Sequence, residues 1–190
     1  MDCTFPWAIR SPSKPKRVPW STHIWVVLLS LLGGVLGIGG AFLGEVGSGG
    51  ILLGVFIGAP VIEEAFKPLG VYLALVKWQD ALNNQLYIAL LCAAAGLVFG
   101  ILEAIAYLYI YVPDHSARFK LYRLTIPLAL HAVCSYTVGL GLDRRIVGVV
   151  NRGDSLPKKT RNFYLAAVGM HATFNISVTI LSLSGLVDFD

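Results

Sequence analysis

The chain has 190 residues, of which 56% are hydrophobic and 14% charged; its mean hydropathy is +0.70 and its formal net charge +4. So little polar surface excludes a soluble globule of this size, and the basic excess sits in a tail and loops, where it sets orientation in a bilayer rather than contact with nucleic acid. A transmembrane helix needs roughly 20 apolar residues, so the length accommodates five or six crossings joined by short loops and no separate soluble domain. The expectation is an all-α, multi-pass integral protein of the cell membrane, a polytopic helical bundle over residues 23–187 behind a short tail, 1–22.

In the tail, Arg10, Lys14, Lys16 and Arg17 alternate with Pro6, Pro12, Pro15 and Pro19, a composition that disfavours helix and marks a cytoplasmic segment. The first span, about 23–43, ends in Gly33, Gly34, Gly37, Gly39 and Gly40, small residues that let helices approach closely in lipid. Glycines rather than an A-x-A site at its end read as a retained signal-anchor.

The second span, about 51–76, contains Ala-Pro-Val-Ile-Glu-Glu-Ala-Phe-Lys-Pro-Leu-Gly from Ala59 to Gly70, which places Glu63, Glu64 and Lys67 among apolar residues. One charge at mid-bilayer costs at least about 2.5 kcal/mol, so three together point to a functional site. Pro68 has no N–H to offer the carbonyl of Glu64, which predicts a kink there and a wet pocket beside it.

A polar connection around 77–85 leads to the third span, about 86–111, whose one ionisable residue at depth is Glu103. The fourth, about 121–142, carries His131 in its interior and Arg123 and Pro127 near the interface. A basic loop, 143–161, precedes the last span, about 162–183, with His171 and Asn175. Eleven Lys and Arg fall on the tail side against three on the other, which predicts five spans with the N-terminus in and the C-terminus out. Cys3, Cys92 and Cys134 show no paired or metal-like spacing.

At about 1.5 Å per residue from the cytoplasmic ends, Glu64 lies about 18 Å deep, Glu103 about 25 Å, His131 about 16 Å, His171 about 14 Å and Asn175 about 20 Å. One shared layer is the economical reading. Lys67, three and four residues after the glutamates, neutralises one carboxylate and leaves the other near a proton-transfer role. Histidine beside such a carboxylate helps activate water, and His171 with Asn175 can donate to an oxyanion. Hydrolysis of an amide uses all of these parts, with Glu64 as the base assisted by Glu63 or His131. Taken singly, the charged trio reads as a structural ion pair, and buried Glu and His also make the proton relays of coupled transporters.

The ordered motifs A-P-x-x-E-E-x-x-K at Ala59–Lys67, G-x-x-F-G-x-x-E at Gly96–Glu103, R-x-x-x-P-x-x-x-H at Arg123–His131 and H-x-x-x-N at His171–Asn175 resemble those of the PrsW intramembrane proteases, within the superfamily of CAAX prenyl endopeptidases and bacteriocin-processing or immunity proteins. The resemblance implies a protease acting on membrane-associated proteins or peptides, with Glu63, Glu64, Glu103, His131, His171 and Asn175 as its site residues. It leaves open a metalloprotease with zinc on Glu103, His131 and His171, a metal-free hydrolysis, or a catalytically silent scaffold. Ala104 follows Glu103 where relatives often have Asn.

Overall fold

Long apolar runs with polar residues confined to a few positions leave helix as the one structure that satisfies its own backbone in lipid, and the computed structural model, which describes residues 18–47 and 54–185, contains helices and no strand among them. Helix α1 is Trp20–Gly47. A π-helical turn, Gly54–Gly58, leads into α2, Ala59–Phe66, and α3, Leu69–Lys77, follows. Helix α4, Gln85–Ala106, continues through a π-helical turn to Tyr111. Then come α5, Ala117–Arg123, α6, Ile126–Gly141, the short α7, Ile146–Arg152, and α8, Lys158–Leu183.

Among the described residues, four stretches are long and apolar enough to cross a bilayer: Trp20–Phe42, Gln85–Tyr111, Ala117–Gly141 and Lys158–Leu183. The second expected span, 51–76, is not one continuous helix over its described residues, 54–76. Pro68 ends α2, with Lys67 and Pro68 forming a turn before α3 resumes, so this segment is built as two short helices. The expected tail lies outside the described residues up to residue 17, and α1 already begins at Trp20. The loop expected over 143–161 holds α7, whose Ile146, Val147 and Gly148 are buried.

The surface is apolar where a soluble protein would be polar. Ile24, Leu28, Leu32 and Leu36 on α1, Leu90, Leu97 and Ile101 on α4, and Leu165, Ile176 and Ile180 on α8 are all exposed, as lipid-facing stripes require. Inside, α4 packs along α6, α1 lies against α4 and the broken span, and α8 lies against α6 and α2. Two glycines show how close the helices come. A Cβ on Gly70 of α3 would meet the backbone carbonyl of Leu29 of α1, and one on Gly96 of α4 would meet the carbonyl of His131 of α6.

The two ends of the bundle differ. Toward the basic loops, Val71, Leu75, Ile88, Leu91, Cys92, Cys134, Val138 and Leu142 form a solid core. There Gln85 Nε2 donates to the carbonyls of Gly139 and Leu142, and Thr160 Oγ1 to that of Gly141, which satisfies the open end of α6. Toward the other end the helices enclose a cavity of about 790 Å³ that reaches Ile110, Tyr111, Phe119 and Leu183. The ionisable residues lie where the solid core gives way to the cavity.

Candidate active site

Residues three and four apart share a helix face, so Glu63 and Glu64, on adjacent positions of α2, both reach back to Lys67. Lys67 Nζ lies 2.7 Å from Glu64 Oε1 and 3.2 Å from Glu63 Oε2. Glu64 and Lys67 are completely buried, and Glu63 nearly so. The aromatic face of Phe99 on α4 covers the ammonium at 4.3 Å. Breaking the helix at Pro68 puts Lys67 in the turn itself, at the level where α6 and α8 deliver their histidines.

His131 of α6 is held at both ring nitrogens. Its Nδ1 is 2.9 Å from Lys67 Nζ, and its Nε2 is 2.9 Å from Glu103 Oε2 of α4. An ammonium has only donors, so Nδ1 accepts, and Nε2–H donates to Glu103. Glu103 Oε2 also accepts from Arg123 Nη2 at 2.8 Å, and the guanidinium stacks on Tyr107 at 3.6 Å. On the opposite side, His171 Nδ1 is 2.9 Å from Glu64 Oε1 and its Nε2 is 3.8 Å from Glu63 Oε2. The two imidazoles meet edge to face with centroids 5.0 Å apart.

All the expected site residues therefore converge on this layer, with one difference in rank. Glu63, Glu103, His131, His171 and Asn175 line the cavity, whereas Glu64 does not. The carboxylate expected to act as the base is the one clamped behind the site by Lys67 and His171, and Glu63 faces the cavity in its place. Glu63 Oε2 and Glu64 Oε2 are buried and accept no hydrogen bond. Asn175 stands one helical turn beyond His171 on the same wall.

Glu63, Glu64, His131 and His171 each bring a potential ligand atom to within 4.8 Å of the others. Two carboxylates and two imidazoles are a donor set that suits zinc, and Glu64 Oε2, which has no partner, with Glu63 Oε2, held only by its ion pair with Lys67, leave capacity for a cation, so the residues fit a metal ion. This set differs from the expected Glu103, His131 and His171. Glu103 is occupied by Arg123 and His131 Nε2 and stands behind the imidazole, the arrangement that orients a ligating histidine.

Arg123 was placed at the interface by its position in the chain, yet it is buried and reaches Glu103. Its place at the head of the R-x-x-x-P-x-x-x-H motif, eight residues before His131, was the available signal. The turn at Leu124 and Thr125 between α5 and α6 brings it inward. Cys134 and Ser135, conceivable nucleophiles by type, are buried and do not line the cavity.

The model of the PrsW family intramembrane metalloproteases matches residues 14–189, nearly the whole chain. No curated protein and no solved structure matches it.

Proposed function

The chain belongs to the PrsW family of intramembrane metalloproteases, and from that premise we propose that it hydrolyses a peptide bond of a membrane-embedded or membrane-tethered protein at the floor of its cavity. The observation that carries this reading is a carboxylate, Glu63, that lines the cavity, is buried, and whose Oε2 is ion-paired with Lys67 at 3.2 Å without a hydrogen bond and lies beside two histidines.

A carboxylate so placed takes a proton at Oε2 from a water as that water attacks a carbonyl, a contribution of about 10²–10⁴-fold in general-base catalysis. Glu64 holds Lys67 and His171 through one oxygen, so the imidazole edge and the ammonium are fixed before substrate arrives. His171 Nδ1–H donates to Glu64, which leaves Nε2 its lone pair, so the Asn175 amide is the donor on the wall where an oxyanion would form, and a preorganised donor there costs no reorganisation during the reaction. Glu103, itself braced by Arg123, keeps His131 in one tautomer. Glu64, His131 and His171, three of the four residues whose ligand atoms converge, would hold a metal ion while Glu63 takes the proton, and zinc bound to them would polarise a carbonyl or acidify a water.

The cavity walls name the class of substrate. Ile38, Phe56, Ile110, Phe119, Phe174 and Val178 suit an apolar segment, which has to be extended at the cleaved bond to present its carbonyl to Glu63. The basic loops surround the solid end of the bundle, so with positive residues inside, the cavity opens toward the non-cytoplasmic face.

The test is cleavage of a panel of single-span reporters by purified protein in proteoliposomes, with chelator and zinc-restoration arms. A discrete product that disappears in His171→Ala supports the reading. Absence of cleavage together with proton or cation flux would replace it with a transporter.

A further inference from the structure

Within the same centre, and resting on its reading as a cation-holding site, we propose that Lys67 is its resident cation and that a metal ion loads only by displacing the Lys67 ammonium from His131 Nδ1 and Glu64 Oε1. Three of the four candidate ligand residues already serve Lys67. Its Nζ lies 2.7 Å from Glu64 Oε1, 2.9 Å from His131 Nδ1 and 3.2 Å from Glu63 Oε2.

The histidine makes the competition exclusive. His131 Nε2 is spent on Glu103 at 2.9 Å, so Nδ1 carries the imidazole's one free lone pair, and the ammonium consumes it. A metal therefore cannot bind His131 while Lys67 stays in place. Charge points the same way. Arg123 pairs with Glu103, which leaves Glu63 and Glu64 sharing one ammonium, with Glu64 Oε2 unpartnered and Glu63 Oε2 held by the ion pair without a hydrogen bond. A divalent ion matches two carboxylates where a single lysine does not.

Lys67 also has a place to go. Its four-carbon stem is flexible, and Phe99, a cavity-lining ring whose face is 4.3 Å from Nζ, keeps attracting the ammonium after it leaves the carboxylate. Lysine thus neutralises the acidic pair while the metal is absent and sets a threshold for loading. The site is built to bind metal weakly and reversibly.

Equilibrium dialysis of the purified full-length protein in detergent against graded free zinc, with metal content read by mass spectrometry, tests this. Lys67→Met and Lys67→Gln are compared with wild type, Lys67→Arg and Lys67→Met/His171→Ala, each checked for a cooperative thermal transition. The expected result is one zinc per chain bound at least about tenfold more tightly by Lys67→Met or Lys67→Gln than by wild type, the equivalent of one charge-assisted hydrogen bond. Lys67→Arg should show no gain, and the double variant should lose it. Binding no tighter than wild type in a folded Lys67 variant, or a gain that survives loss of His171, overturns the proposal.

A structure of zinc-soaked wild type decides it if neither neutral variant folds. Zinc at about 2.0–2.2 Å from His131 and Glu64 with Lys67 swung away agrees with the proposal. Zinc there with Lys67 still bonded to Glu64, or no zinc in the cluster, refutes it. Failure of proteolysis leaves these binding curves as they are, and flat binding curves leave the role of Glu63 as they found it.

Discussion

Replacing Glu103 by Gln keeps the shape of the side chain and removes its charge, which separates a group that orients the site from one that performs the reaction. Glu103 Oε2 accepts from Arg123 at 2.8 Å and from His131 Nε2 at 2.9 Å. The Arg123 side chain is 10% exposed and that of Glu103 23%. Breaking a fully buried pair costs about 3–5 kcal/mol, but Gln retains one acceptor oxygen and the site is partly open, so a loss of about 1–3 kcal/mol is expected. Outer partners of a working histidine contribute about 10–100-fold to activity. Glu103→Gln should therefore cut kcat by that factor with KM nearly unchanged, and lower the thermal transition in detergent. Reporter cleavage with paired unfolding scans reads both. Activity as completely lost as in Glu63→Gln would mean that Glu103 takes part in the chemistry itself, and wild-type values on both axes would refute its bracing of His131.

Asn175→Ala should lower kcat about 10²-fold or more without changing the unfolding temperature, as loss of an oxyanion donor does, and an unchanged kcat would remove Asn175 from the mechanism. Gly70→Val forces a side chain into the backbone of Leu29, and overpacking of about 1–3 kcal/mol should appear as a lower transition temperature and poor recovery from the membrane; normal stability would contradict the α1–α3 approach. Cys134→Ala and Ser135→Ala should both remain active in reporter cleavage, because neither side chain reaches the cavity.

The polar layer was legible because helical rise converts position in a span into depth, and Glu64, His131 and His171 at similar depths do meet through hydrogen bonds of 2.9 Å or less. The break at Pro68 was legible for the same elementary reason, a missing N–H. Rank within the acidic pair was not. Glu63 and Glu64 differ by about 100° around one helix, and which of them faces the cavity depends on how α2 rotates against α6 and α8, which the spacing of charges along one helix does not record. Nor does helical spacing report contacts between helices, so the Lys67–His131 bond and the reach of Arg123 to Glu103 emerge only from packing. The second span failed as one continuous helix because two local events, a π-helical turn at Gly54–Gly58 and the Pro68 break, fall within it. Its sequence announces only the second.

The proposed hydrolysis depends on the carboxylate that faces the cavity, Glu63. Purified wild type and Glu63→Gln, matched for folding, are compared for the rate of cleavage of one transmembrane reporter in proteoliposomes. Loss of about 10²–10⁴-fold in Glu63→Gln at an unchanged unfolding temperature is predicted, and equal rates in the two proteins would contradict water activation at this site.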